Sequence, residues 1–185
     1  MIKIIWNNRF SGDIGNKALV SLDGTDMPVQ MKFAERFLSH KFKGNGLKYE
    51  ICVCIVTGRI VWIHGPSRAG EHDITVARQA IVSFMDDNEM AVADSGYGGE
   101  LLSIKTPDFM HFRSADEYGA AAVARARHET MNKRLKSKQV LTKPFRHSLQ
   151  FHSSCFRAVA VIEELNIENG HPLFDVEYCD EGRKR

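Results

Sequence analysis

The chain has 185 residues, of which 43% are hydrophobic and 26% charged, and its formal net charge is +2. This length suits one well-buried core, and the charge balance is that of an ordinary globular protein, which excludes a disordered or strongly basic chain. No apolar run approaches the ~20 residues that cross a bilayer, so we expect a soluble intracellular protein without a membrane partner. We predict a single domain over residues 1–185.

The first half of the sequence predicts three antiparallel strands. Residues 18–22 form an apolar run that ends at Asp23, which indicates a central strand covered on both faces. Residues 49–56 and 60–63 are rich in β-branched and aromatic residues and flank a short connection that contains glycine, a pattern typical of a hairpin. Residues 1–17 are interpreted as turns or a frayed helix end.

A helix and two more strands are predicted next. Asp73 suits a helix N-cap, and apolar residues follow it at helical spacing to about residue 85. Residues 90–93 form a fourth strand that ends at Asp94. The fifth strand is predicted over residues 101–105.

Two helices complete the pattern. The first runs from about Ser114 to residue 136, where Ser114 and Glu117 fit a capping box. The second covers about residues 153–167, and residues 172–178 are either extended or a packed tail. The sequence therefore predicts an α/β fold with a mixed central sheet of about five strands, in the order β-β-β-α-β-α-β or similar, flanked by helices.

The four cysteines, Cys52, Cys54, Cys155 and Cys179, form no C-x-x-C pair. Cys52 and Cys54 alternate along a predicted strand and point to the same face, where they cannot easily bridge each other. We predict buried thiols in a reducing compartment. The alternative is a zinc site completed by a distant histidine.

Three acids on separate buried elements indicate a metal site. Asp23 and Asp94 end predicted strands, whose neighbouring ends lie roughly 5 to 10 Å apart, and Glu129 lies on the helix that begins near Ser114. Carboxylates suit two Mg²⁺ or Mn²⁺ ions, which can activate a water or a 3′-hydroxyl and stabilise the leaving oxygen of a phosphodiester. Taken singly, each acid has the alternative interpretation of a turn, cap or solvated residue.

These acids belong to a series of motifs that covers almost the whole chain and resembles the Harbinger-type DDE superfamily transposases and their domesticated relatives. The motifs that carry the resemblance are Leu22-Asp23-Gly24-Thr25-Asp26, Ser39-His40-Lys41-Phe42-Lys43-Gly44, Leu47-Lys48-Tyr49-Glu50, Ile60-Val61-Trp62, Gly65-Pro66, Asp73, Ala93-Asp94-Ser95-Gly96-Tyr97, Arg125 to Arg134, and Phe156 to Ile162. What the resemblance implies is an RNase H-like catalytic domain that cleaves and joins DNA strands with bound Mg²⁺.

The resemblance also implies roles for individual residues. Asp23, Asp94 and Glu129 match the acidic triad of the family, which needs no covalent protein nucleophile. Asp73 matches another frequent aspartate of the family and is a further candidate metal ligand, with the N-cap role as the alternative. His72 and His128 flank acids, and we interpret both as structural or peripheral.

Several basic or polar residues are candidates for contacts with the DNA backbone. Those on the helix of Glu129 either steady that glutamate or bind phosphates, and Arg125 and Lys133 have the alternative of ordinary helical ion pairs with it. Lys41 and Lys43 have the alternative of a solvated surface. The candidates are Lys41, Lys43, Arg125, Arg127, Asn132 and Lys133.

Family members carry an N-terminal helix-turn-helix-like DNA-binding segment, whereas about twenty residues precede Asp23 here. We therefore expect a nuclease domain that lacks this segment, as a fragment or a shortened or domesticated copy, and a separate DNA-binding partner protein. The leading hypothesis is a Mg²⁺-dependent endonuclease or transposase catalytic domain, and the alternative is a non-catalytic DNA- or protein-binding module. The substrate and the basic residues 183–185 indicate the nucleus, and the oligomeric state is left open.

Overall fold

The sheet is built around β1 (Ala18–Pro28), a central strand that is buried on both faces. In the computed structural model, which describes residues 4, 6–9, 18–87 and 89–177, β1 pairs antiparallel with β3 (Gly44–Cys54) and parallel with β5 (Met90–Val92). β4 (Ile60–Arg68) pairs antiparallel with β3. The predicted antiparallel arrangement of the first three long strands is confirmed.

Two short strands extend the sheet on opposite sides. β2 (Leu38–Ser39) pairs with β3, and β6 (Ile104–Lys105) pairs in parallel with β5. The strand order is β2-β3-β1-β5-β6, with β4 also paired to β3, which makes a mixed sheet of six strands instead of the predicted five. The difference is β2, since two residues give too short a pattern to predict.

Several strands differ in length from the predictions. β3 begins at Gly44 instead of residue 49, and β4 continues to Arg68 instead of ending at residue 63. The prediction that the first strand ends at Asp23 is wrong, because Gly24, Thr25 and Asp26 continue the ladder opposite β3. The last strand begins at Ile104 instead of residue 101. The preceding Leu102 lies in a turn and is 86% exposed.

Four α-helices in the described part of the chain surround the sheet. α1 (Asp73–Gln79) is shorter than predicted and is followed by a 3₁₀ turn, whereas α2 (Ala115–Lys136) has nearly the predicted bounds. The Ser114 hydroxyl caps α2 by accepting from the Glu117 N–H, while the Glu117 carboxylate accepts from the N–H of Arg113 at 2.7 Å. α3 (Gln139–Thr142) was not predicted, and α4 (Leu149–Glu168) begins four residues before its predicted start.

Helices cover both faces of the sheet. Successive side chains of β3 point to opposite faces, and the apolar ones on each face pack against helices. Tyr49 and Ile51 pack on one face with Met131 of α2 and Phe156 of α4. On the other face, a second cluster joins β1 and β3 to the α1 region and to the turn after β5. Cys52 lies in this second cluster, where it is fully buried, as predicted.

Residues 171–177 have no regular secondary structure, although Leu173 packs into the core. This arrangement agrees with a packed tail rather than a strand. None of the described helices is both long and apolar enough to span a bilayer. The predictions for Cys179, for residues 183–185 and for most of residues 1–17 lie outside the described residues.

Candidate active site

The parallel pairing of β1 and β5 brings Asp23 and Asp94 to one edge of the sheet. Val92 pairs with Ser21, and the two aspartates each follow two residues beyond this last pair. Adjacent strands lie about 4.8 Å apart, so the two carboxylates are near neighbours. β1 continues past this point without β5 beside it, which leaves an open edge where both acids lie.

Asp23 is half-buried and faces α2. Its Oδ2 accepts a hydrogen bond of 2.7 Å from the side-chain amide of Asn132. The pKa of Asp23 is raised from 3.8 to about 6, mainly by burial and also by the charges of Asp94 and Asp73, while the charge of Lys41 opposes the rise. The carboxylate therefore lies in a cluster that holds more negative than positive charge.

Asp94 is exposed and begins the 3₁₀ turn Ser95–Tyr97. Its Oδ1 accepts from the N–H of Gly96 at 2.8 Å, which fixes the carboxylate at the start of the turn. A Cβ built on Gly96 would lie 3.0 Å from Asp94 Oδ1 and 3.1 Å from Asp73 Oδ2. Glycine is needed here because two carboxylates approach the backbone closely.

Asp73 joins the same cluster. The prediction that it caps α1 is wrong, because His72 is the N-cap and Asp73 is the first helical residue. Its carboxylate is paired with the buried ammonium of Lys48, which also donates to the Glu71 carbonyl at 2.7 Å. A Cβ on Gly24 would lie 2.8 Å from Asp73 Oδ1, so this acid reaches the edge of β1.

Glu50 is a buried acid beside the cluster that the sequence interpretation missed. It lies opposite Gly24 on β3, is 1% exposed, and neither carboxyl oxygen makes a hydrogen bond of normal geometry. Its pKa is raised from 4.5 to about 8, mainly by burial and also by the charges of Asp73 and Asp23, while the hydroxyl of Tyr97 and the charge of Lys48 oppose the rise. A carboxylate inside an otherwise apolar strand was the signal available in the sequence.

Glu129 lies at the border of the cluster. Its side chain is 68% exposed and forms an ion pair of 3.1 Å with Lys133, the helical alternative considered from the sequence. Two residues on the same side of α2 approach the aspartates. Asn132 donates a hydrogen bond to Asp23. Burial lowers the pKa of Arg125, and the nearby charge of Asp94 partly opposes this effect. The backbone of Glu129 therefore lies between them, with its carboxylate turned to solvent.

The structure separates the other candidates for DNA contacts. Arg127 is 1% exposed and donates to the carbonyls of Cys54 and Ile55 at 2.8 and 2.6 Å, so it holds the β3–β4 hairpin and does not face DNA. Asn132 is buried and orients Asp23 instead. Lys41 and Lys43 are exposed, in the turn before β3.

His128 is buried and has a structural role, in line with the sequence interpretation. Its Nδ1 lies 2.9 Å from the hydroxyl of Ser21 and 3.1 Å from the carbonyl oxygen of that residue. Burial lowers the pKa of His128 to about 4, so the imidazole is neutral at physiological pH. It helps to fix α2 against β1.

The donor chemistry of the cluster fits a hard divalent cation. Asp23, Asp73 and Asp94 offer carboxylate oxygens, which Mg²⁺ and Mn²⁺ prefer, and a cation would favour the charged form of Asp23, which burial and the two neighbouring acids disfavour. Within residues 18–87 and 89–177, however, no three His, Cys, Asp or Glu side chains form a group that could hold a metal ion as they stand. This also leaves the zinc alternative without support among the described cysteines.

Comparison with known proteins identifies one family. The sequence matches the family described as "DDE superfamily endonuclease" over residues 22–163, about three quarters of the chain. The matched region begins just before Asp23 and includes Asp73, Asp94 and Glu129. No curated protein and no solved structure matches the chain.

Proposed function

The chain belongs to the DDE superfamily endonucleases, and we propose that it is a divalent-metal-dependent DNA endonuclease or transposase catalytic domain of the Harbinger type. In this proposal Asp23, Asp94 and Glu129 are the ligands of two Mg²⁺ or Mn²⁺ ions, and Asp73 is a further ligand. The observation that carries the proposal is the meeting of Asp23, Asp73 and Asp94 at the open edge of β1.

Bound ions would supply activation of a water or 3′-hydroxyl and stabilisation of the leaving oxygen of a phosphodiester. Asn132 donates to Oδ2 of Asp23 and so orients the carboxylate that would bind an ion. To reach the site, the Glu129 carboxylate would break its ion pair with Lys133 and rotate about its side-chain torsions. The exposed position of this ion pair makes the exchange inexpensive, because such pairs contribute only about 0.3–0.5 kcal/mol.

Four exposed or half-buried cations remain candidates for contacts with the DNA backbone. Phosphate contacts of this kind fix the register of a nucleic acid without reading its sequence. The resemblance in sequence further supports an RNase H-like fold, and the proposed DNA substrate supports action in the nucleus. The candidate cations are Lys41, Lys43, Arg125 and Lys133.

A second candidate function is a non-catalytic DNA- or protein-binding module that retains the fold. The observation that favours it is the outward position of the Glu129 carboxylate and its pairing with Lys133. In this case the basic surface around α2 would bind its partner without strand cleavage.

Nicking of supercoiled plasmid DNA with Mg²⁺ or with EDTA tests the proposal. We expect nicking by the wild type, and a loss of about a hundredfold or more in Asp94→Asn and Glu129→Gln, because each loses a charged ligand. Asp116→Asn is a matched control, since this exposed acid lies on α2 about 20 Å from Glu129 and should leave nicking unchanged.

Equal nicking by the wild type and Asp94→Asn would refute the catalytic proposal. DNA binding by a wild-type protein that does not nick would favour the second candidate function.

A further inference from the structure

Lys41 extends over the middle of β1. Its Nζ donates to the carbonyl oxygen of Gly24 at 2.6 Å, next to Asp23. Although this residue is exposed, no carboxylate of the described ranges lies within ion-pairing distance of its nitrogen. An ammonium has three donors, and the carbonyl occupies one of them. Lys41 therefore brings a positive charge with unused donors to the border of the acidic cluster.

The buried acid Asp26 holds the turn that carries Lys41, through a hydrogen bond with Ser39. The hydroxyl of Ser39, which is fully buried, donates to Asp26 Oδ2 at 2.6 Å and accepts from the backbone N–H of Lys41 at 3.1 Å. The N–H of Lys43 closes the turn on the Ser39 carbonyl at 2.9 Å. A buried carboxylate is costly unless it is hydrogen-bonded, so Asp26 holds Ser39 firmly.

Asp26 connects this turn to the strand of the metal-binding candidate. It lies on β1 three residues after Asp23, so the rigid central strand sets the separation between the acid cluster and the Lys41 turn. On the other side, Lys136 of α2 is half-buried and close enough to Lys41 that the two charges repel. The ammonium of Lys41 is thus held at the border of the carboxylates, with a second cation nearby, where an anion that approaches from solvent can contact it.

We propose that Asp26 and Ser39 are positioning residues that hold Lys41 beside the acidic cluster, where its ammonium contacts a non-bridging oxygen of the DNA phosphate that enters the site. This inference rests on the proposed function, since it assigns a contact to the substrate of the same site. A phosphate oxygen is a stronger partner for an ammonium than the neutral carbonyl that it binds in the structure. No group is transferred to or from Lys41.

The test measures binding of a fluorescently labelled DNA duplex by anisotropy, in EDTA, over a series of salt concentrations. Loss of one phosphate contact lowers the slope of log K against log[salt] by about 1, independently of the DNA sequence. We expect this change in Lys41→Met and a slope near the wild-type value in Lys41→Arg. Lys32→Met is the matched control, because this exposed lysine lies near Asn45, about 20 Å along the strand from Asp23.

A double-mutant comparison tests the positioning role. Ser39→Ala should weaken DNA binding, and the double variant Ser39→Ala with Lys41→Met should bind no more weakly than Lys41→Met alone. Circular dichroism and the thermal midpoint identify variants that fail to fold. If Ser39→Ala is unfolded, Ser39→Thr, which keeps the hydroxyl, should retain the wild-type slope, and Asp26→Ala, which removes the acceptor of the Ser39 hydroxyl, should show the weakened slope.

An unchanged slope in Lys41→Met would overturn the proposal, and this arm does not depend on folding effects because Lys41 is exposed. Additive losses in the double variant would overturn the positioning role of Ser39. The experiment contains no metal ion and no cleavage step. Nicking by Asp94→Asn at the wild-type rate would therefore refute the proposed function, while the salt slope would still report on the phosphate contact.

Discussion

Replacing Glu50 by glutamine should remove a loss of stability that the metal-free protein suffers as the pH rises. The folded protein raises the pKa of Glu50 from 4.5 to about 8. Between these values the folded state keeps the proton while the unfolded state has released it. The contribution of Glu50 to the free energy of unfolding therefore falls with rising pH throughout this window, and the decrease stops once the folded state also loses the proton.

The size of the effect follows from the proton balance. One proton bound only by the folded state gives a slope of about 1.4 kcal/mol for each pH unit. From its shift, Glu50 should contribute a loss on the order of 5 kcal/mol across the window. Glutamine has the same shape and no charge, so the substituted protein should lack this contribution. It should keep the loss from Asp23, whose pKa is raised to about 6, and the opposing gain from His128 and His152, whose pKa values are lowered to about 4.

Urea unfolding in EDTA at about pH 5 and about pH 8 measures the difference. The exposed Glu35 supplies a matched control, and Glu35→Gln should show the pH dependence of the wild type. If Glu50→Gln loses as much stability as the wild type between the two pH values, Glu50 does not hold a proton in the folded protein. The description of the acidic cluster as short of positive charge would then be wrong.

Three further outcomes are expected. Mg²⁺ should raise the thermal midpoint in scanning fluorimetry more at about pH 8 than at about pH 5, because protonated carboxylates do not bind a cation, and Asp94→Asn should lose most of the shift. Gly96→Ala should weaken Mg²⁺ binding about tenfold in calorimetry, since a Cβ there displaces two carboxylates. In contrast, Gly119→Ala should stabilise α2 by about 0.5–1 kcal/mol, because a Cβ at Gly119 would meet no atom within 4 Å. Arg127→Met should cost about 1–3 kcal/mol in urea unfolding, because it leaves the buried Ile55 carbonyl without a donor, while the Cys54 carbonyl keeps the Gly58 N–H.

The strands with continuous apolar or β-rich runs could be predicted from the sequence, because their pattern alone is typical of buried strands. The length of β1 could not. Gly24 and Asp26 are residues that favour turns, but pairing with β3 holds them in the ladder. Asp23 thus lies in the middle of β1. It is at an open edge of the sheet because β5 ends at Val92 and leaves this part of β1 without a neighbour on that side.

The candidate site could likewise be predicted only in part. The sequence indicated acids on β1, after β5 and on α2, but side-chain direction depends on partners from other elements. Asp73 turns toward the cluster because Lys48 binds it, and Glu129 turns away because Lys133 is one helical turn further along. Arg127 is the strongest case: arginine is rarely buried, and only the hairpin carbonyls explain its position.

The contacts of α2 with the sheet bear on how the family can vary in length. Arg127 binds the end of β3, His128 contacts Ser21, and Asn132 binds Asp23, so the helix is registered against the strands within little more than one turn. Because these contacts fix the position of Glu129 relative to Asp23 and Asp94, the length of the connection between Asp94 and α2 does not determine it. Insertions or deletions in this connection should leave the relative positions of the acids unchanged.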